Sequence, residues 1–86
     1  MSTASEMLGA PPIDALVAEV IATLAIAANA YLEPKEGQPD VDSATLACDV
    51  AGAAFEKIAP RLKAEERAAL GSLLTNIRMT IVKKRG

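Results

Sequence analysis

Apolar residues recur every three or four positions along most of the chain, which is the spacing of one face of an α-helix. This spacing predicts three helices, at residues 13–32, 42–59 and 64–84. No stretch alternates apolar and polar residues at every second position, as a half-buried strand would. We therefore predict an all-α fold of three up-and-down helices in one domain at residues 13–86, preceded by a flexible tail at residues 1–12.

Proline and aspartate mark the expected ends of these helices. The first helix should end before Pro34, because a residue that precedes proline disfavours the helical region. Asp42 is placed to cap the second helix by accepting a hydrogen bond from a backbone amide of the first turn. Pro60 should end that helix, because proline lacks a backbone N–H and clashes with the preceding turn.

The first helix has two sides that are suited to burial, which is unusual for a surface helix. Large apolar residues gather on one side, the expected core face: Ile13, Leu16, Val17, Val20, Leu24, Ala27, Ala28 and Tyr31. Small or uncharged residues occupy the other side, where Lys and Glu would be usual: Ala15, Ala18, Ala22, Ala25, Ile26 and Asn29.

We predict that this small-residue side is a self-association face and that the protein is a homodimeric helical bundle. Small side chains allow two helix backbones to approach closely, and Asn29 near the contact would penalise other registers. A monomer of this size buries only roughly 63% of its unfolded surface, so a partner would add stability. The other interpretation is that alanine is simply a good helix former and that this side is exposed.

The second and third helices each have one expected core face. The inward residues of the second helix are Leu46, Ala47, Val50, Ala51, Ala54, Phe55 and Ile58, with Gly52 among its outward residues. The third helix has a single apolar stripe, formed by Leu70, Leu73, Leu74, Ile77 and Ile81.

The amino-acid composition excludes most classes of catalytic site. The chain has no histidine and a single cysteine, Cys48, so zinc sites, histidine general bases and disulfide frameworks lack their residues. Without a neighbouring base, Cys48 is expected to be a packed thiol and not a nucleophile. The sequence contains no glycine-rich phosphate-binding motif. We predict no enzymatic activity, no cofactor and no metal site.

The charges are divided between the two ends of the chain. Residues 1–56 hold nine acidic residues against Lys35 alone, whereas residues 57–86 hold eight basic residues against two acidic ones. Three of the basic residues, Arg67, Arg78 and Arg85, share one flank of the third helix and form a possible anion-binding row for phosphate or carboxylate groups. We favour ion pairs between these arginines and the acidic residues of the first two helices over binding of nucleic acid.

Localisation is expected to be cytoplasmic, because the lone cysteine suits a reducing compartment and no basic segment precedes the first apolar stretch. We expect no membrane span, because the uncharged run at residues 20–32 is 13 residues long and about 20 are needed.

Three stretches, IDALVAEVIATLAIAANAYLEP, DVDSATLACDV and LKAEERAALGSLLTNIRMTIVK, resemble a family of short bacterial helical proteins that carry a domain of unknown function. The resemblance is best in the last stretch, which has an acidic helix start, a leucine-rich stripe and an arginine near its close: Glu65, Glu66, Leu70, Leu73, Leu74, Ile77, Arg78 and Val82. It implies a bacterial cytoplasmic protein and assigns no activity or functional residue.

The function that fits these features is a non-enzymatic interaction or regulatory module that acts as a homo-oligomer and has a possible protein partner. The alternative is a protein that binds nucleic acid or an anionic ligand through the basic flank of the third helix.

Overall fold

The computed structural model describes residues 12–86. It contains three α-helices, α1 (Ile13–Leu32), α2 (Val41–Ile58) and α3 (Ala64–Arg85), with a 3-10 turn at Ala59–Arg61 between α2 and α3. Strands are absent from the described part of the chain. The prediction of an all-α fold of three helices is confirmed.

The predicted helix ends are accurate to within one residue. Helix α1 has the predicted bounds, α2 begins and ends one residue earlier than expected, and α3 ends one residue later. Apart from Pro12, the predicted tail lies outside the described residues.

Asp40, and not Asp42, caps the N-terminus of α2. The Asp40 carboxylate accepts hydrogen bonds from Ser43 N at 3.0 Å and from Ser43 Oγ at 2.7 Å. Asp40 N donates to Tyr31 O at 2.9 Å, which closes the loop between α1 and α2. Because the closed loop places Asp40 just before the first helical residue, the prediction that Asp42 is the cap is wrong.

The interior consists of two neighbouring apolar clusters. One cluster joins the later half of α1 to the earlier half of α2 and the end of α3: Ala25, Ala28, Leu32, Ala44, Ala47, Cys48, Ile77 and Ile81. The other lies toward the 3-10 turn: Ile21, Ala51, Ile58, Leu62 and Leu74. Helix α3 supplies its predicted stripe, with Leu74, Ile77 and Ile81 buried and with Leu70 and Leu73 half-buried.

Helix α1 turns a different side inward from the predicted core face. Its buried residues are Ile21, Ala25, Ala28 and Leu32. Several predicted core residues are instead about half exposed: Ile13, Leu16, Val20 and Tyr31. At 100° per residue, the exposed large residues lie roughly 110° around the helix from the buried ones. The prediction of the α1 core face is therefore wrong for these four residues, whereas Ala28 is buried and Val17 and Leu24 pack against the interior, as predicted.

Small side chains explain which side of α1 is buried. Ala25 and Ala28 of α1 pack in one cluster with Ala44 and Ala47 of α2. When alanine faces alanine, two helices approach closely and gain dispersion contacts along their backbones. Helix α2 also buries small residues and exposes large ones. Leu46 and Val50 were predicted to face inward but are exposed. Gly52 was predicted to face outward but is buried.

Candidate interaction surfaces

An apolar groove runs between α1 and α2 on the surface of the protein. Its volume is about 310 Å³, and its lining residues are Leu24, Ala27, Tyr31, Ser43, Leu46, Ala47 and Val50. We call this surface the α1–α2 groove. The lining contains no charged side chain, and Ser43 is the only residue in it with an aliphatic hydroxyl group.

Large side chains that reach the solvent border this groove. Leu46 is 66% exposed, and Val50 and Tyr31 are about half exposed. Val20, one helical turn before Leu24 on the same stripe of α1, is also about half exposed. All these residues were predicted to lie in the core. The sequence does show that α1 has more apolar sides than a surface helix needs, but this excess does not identify Val20, Leu46 and Val50 as the exposed residues.

The predicted self-association face is divided by the fold. Ala25 is 1% exposed and lies in the interior, so it cannot contact a second chain. Ala18 and Ala22 are half-buried, and Ala18 packs on the interior of its own chain. The remaining members of the face, Ala15, Ile26 and Asn29, are exposed. Self-association through this face stays a prediction, with three exposed residues to support it.

Two of the three arginines in the predicted anion-binding row make hydrogen bonds within the chain. Arg67 Nη1 donates to Ala59 O at 3.1 Å and to Leu62 O at 3.2 Å, at the end of the 3-10 turn. Arg85 Nη2 donates to Thr45 Oγ1 at 3.0 Å and lies 3.4 Å from Asp42 Oδ1. These contacts attach both ends of α3 to α2 and to the turn that follows it.

Arg78, the middle member of the row, lies against Gly52 of α2. It is 11 residues from Arg67 along α3 and 7 from Arg85, which corresponds to about 16 Å and about 10 Å at 1.5 Å per residue. The three guanidinium groups therefore share a flank but do not converge on one point. Anion binding by the row stays a prediction.

Within residues 12–86, three ion pairs connect basic residues of the second half of the chain to acidic residues of the first half. Lys84 Nζ lies 3.4 Å from Glu33 Oε2, and Arg85 pairs with Asp42 as described above. Arg61 Nε lies 3.1 Å from Asp14 Oδ1, but the two groups are not aligned as a hydrogen bond. The pairs of Lys84 with Glu33 and of Arg85 with Asp42 are on the surface, where such contacts contribute about 0 to 1 kcal/mol, whereas Oδ1 of Asp14 is buried. Of the three arginines for which ion pairs with the first two helices were predicted, Arg85 makes one; the other pairs use Arg61 and Lys84.

The side chains with potential for chemistry do not assemble into a reactive site in the part that the structure describes. Cys48 is buried in the interior. No group of three or more Cys, Asp or Glu residues within residues 12–86 is arranged to hold a metal ion.

Helix α1 is long enough and apolar enough, by length and composition alone, to cross a membrane. Its mean hydropathy over the best window is 1.8, and 22% of that window is buried within the protein. Four residues of α1 are buried, whereas large apolar residues such as Val20 and Ile26 stay exposed to solvent.

No family model, no curated protein and no solved structure matches the chain. The resemblance to a bacterial helical family stays a prediction.

Proposed function

We propose that this protein is a non-enzymatic helical interaction module that acts as a homo-oligomer. The observation that supports the proposal is that large apolar residues of α1, such as Val20, and of α2, Leu46 and Val50, are exposed to solvent. A folded domain usually buries its large aliphatic side chains, yet Val20, Leu46 and Val50 each remain about half exposed or more. Contiguous apolar surface of this kind is typical of sites where proteins associate.

The energetic argument concerns the apolar area that association would remove from water. Each half-exposed aliphatic side chain would contribute about 1 kcal/mol if it were covered, at about 25 cal/mol per Å². Several such side chains on one face supply a gross gain of several kcal/mol per copy, which must exceed the loss of translational and rotational freedom for the copies to associate. The polar side chains that line this groove are Ser43 and Tyr31, and a hydroxyl without a neighbouring base is a weak nucleophile.

The test is the mass of the protein in solution as a function of concentration. Sedimentation equilibrium between about 1 and 100 µM, a range that covers weak to moderate dimers, should give a mass that rises from 8.9 kDa toward at least twice that value. A mass that stays at 8.9 kDa over the whole range would refute the proposal.

Binding of nucleic acid or of an anionic ligand is the alternative, and it has less support. Arg67 and Arg85 already donate hydrogen bonds within the chain, so an anion would have to displace these contacts. A gel shift with DNA and RNA at low and high salt distinguishes the alternatives, because binding through phosphate contacts weakens steeply with salt. Under the proposal, no shift is expected at about 150 mM salt, where weak electrostatic binding is screened.

A further inference from the structure

The α1–α2 groove has both a concave and a protruding part. Ala27 and Ala47 are the small residues of its lining, between the larger Leu24, Tyr31 and Val50. Leu46, also in the lining, is 66% exposed and projects from α2. This surface therefore has a protruding leucine next to a depression lined by alanine. Such a surface can be complementary to a copy of itself, because the leucine of each copy can fill the depression of the other, as knobs fill holes between packed helices.

The distribution of charge favours a second copy at this groove over the other exposed apolar patch. In a two-fold dimer, residues near the axis face their own copies, so a charged centre would bring like charges together. The α1–α2 groove has no charged lining residue. On α3, by contrast, the exposed pair Met79 and Val82 lies between Arg78 and Lys83, and two-fold pairing there would oppose cations to cations.

The size of the face is sufficient for a dimer. Helix α2 has 18 residues, so two adjacent helices present a face about 27 Å long and about 18 Å wide at ordinary helix spacing. That face is on the order of 500 Å² per copy, or about 1,000 Å² in total, which is the size of a weak or transient protein interface.

From these observations we infer that a second copy of this chain occupies the α1–α2 groove. The α1 and α2 helices of both copies then form a four-helix bundle, with Leu46 of each copy seated over Ala27 and Ala47 of the other. Both copies of α3 remain outside this contact. The inference rests on the proposed function and specifies the surface through which the protein self-associates.

A lipid surface is the competing occupant of the same groove, since α1 is apolar enough to enter a bilayer. The groove belongs to the acidic half of the chain, where nine acidic residues oppose one lysine. Glu19 of α1 and Asp49 of α2 are exposed on these two helices, and carboxylates are repelled by the negative surface of a bacterial or cytoplasmic leaflet. A second copy carries the same carboxylates, but none of them lines the groove, so the contact would not bring them face to face at its centre.

The experiment compares three exposed apolar residues that differ in position but scarcely in exposure. Leu46 in the groove is 66% exposed, Ile26 on the predicted small-residue face is 70% exposed, and Val82 on α3 is 68% exposed. We would measure the dimer dissociation constant of full-length wild type, Leu46→Glu, Ile26→Glu and Val82→Glu by sedimentation velocity, and record the thermal melt of each by circular dichroism. Val50→Lys provides a second groove variant with the opposite charge.

We expect the dissociation constant to rise about 100-fold in both groove variants, as is usual when a central interface residue is replaced. We expect Ile26→Glu and Val82→Glu to keep a dissociation constant near the wild-type value. This combination of results would support the inference. Because all four positions are exposed, the helical signal should be retained in each variant at low temperature. If either groove variant unfolds, the other still gives the result.

Other outcomes separate failure of this inference from failure of the proposed function. If the wild type is dimeric and the groove variants also stay dimeric, the α1–α2 groove is not the interface, but the protein still self-associates. If only Ile26→Glu then loses the dimer, the interface is the predicted small-residue face. A monomeric wild type would overturn both. If that monomer co-sediments with vesicles of phosphatidylcholine and phosphatidylglycerol, and Leu46→Glu does not, the occupant is a lipid surface.

Discussion

The guanidinium group of Arg78 lies directly over Gly52, so that a Cβ atom built at position 52 would overlap Nη2 of Arg78. Gly52 is buried although no side chain is present to pack there, because the arginine and the facing helix cover it. This contact joins the middle of α2 to the middle of α3. It also places a glycine in a helix interior, where glycine costs about 1 kcal/mol relative to alanine.

Substitution of Gly52 by alanine should stabilise the protein by about 0.5 kcal/mol, because the gain in helix propensity exceeds the cost of moving the exposed tip of Arg78. Gly71→Ala is the matched control, since a Cβ at Gly71 would make an ordinary contact of 3.6 Å with the ring of Phe55. We expect about 1 kcal/mol of stabilisation from that control, with both values measured by urea unfolding.

A loss of stability in Gly52→Ala would show that the position of Arg78 is fixed more firmly than its exposure suggests. The double variant Gly52→Ala, Arg78→Ala resolves this case, because removal of the arginine should then restore the full gain of the alanine.

The buried side of α1 can be tested with two alanines. Ala25 is in the interior and Ala15 is exposed, although the sequence analysis placed both on one face. Ala25→Leu should cost about 1 to 3 kcal/mol, because the added atoms overfill a packed interior. Ala15→Leu should change the free energy of unfolding by less than about 0.5 kcal/mol. Equal effects in the two variants would contradict the observed orientation of α1.

The existence and bounds of the helices were predictable because they depend on local signals. Pro34 and Pro60 lie just beyond the ends of α1 and α2, where the constraints of proline on the backbone operate within the chain itself. The apolar stripe of α3 was also predictable, because it runs along most of the helix, whereas the only other large apolar residues, Met79 and Val82, lie beside the charged residues Arg78 and Lys83.

The orientation of α1 was not predictable by the same reasoning, because it depends on how closely two helices can approach. Side-chain size favoured the side with Leu16 and Val20, but close packing of Ala25 and Ala28 against the alanines of α2 buries the adjoining side instead. As a result, the α1–α2 groove was missed as a surface. An excess of apolar sides over the available partners was visible in the sequence, but it did not identify which side would remain uncovered.

Asp40 should contribute to stability as the cap of α2, whereas Asp42 should contribute little. Hydrogen bonds from Ser43 lower the pKa of Asp40 from its ordinary value of 3.8. Asp40→Ala should lower the melting temperature at neutral pH by about 5 °C, a typical effect for loss of a helix cap in a small domain. Asp42→Ala, which removes only a surface ion pair, should lower it by less than about 2 °C.

The same cap predicts a dependence of stability on pH. Because the folded-state pKa of Asp40 is depressed, its contribution is fully present above the ordinary value of 3.8 and is lost as the pH falls through the lower folded-state value. Asp40→Asn retains a good capping residue without a titrating group. The difference in melting temperature between wild type and Asp40→Asn should therefore shift in favour of the variant below about pH 4. A constant difference from pH 7 to pH 2 would contradict the role of the ionised carboxylate.

Cys48 is a built-in reporter on opening of the interior, because it is the single thiol of the chain and is 1% exposed. It packs with Ala25 of α1 and Ile77 of α3, so a reagent reaches it only when these helices separate. Alkylation by iodoacetamide under native conditions should be slower than in denaturant by about three orders of magnitude, as expected for a group protected by most of the folding free energy of a small domain.

If the chain self-associates through the α1–α2 groove, the protection of Cys48 from alkylation should also rise with protein concentration in wild type, because a partner that binds only the folded state stabilises it by mass action. In Leu46→Glu the alkylation rate should be independent of concentration. Rapid alkylation of dilute native protein, at the rate of the unfolded chain, would instead show that α1 and α3 do not stay packed over α2 in solution.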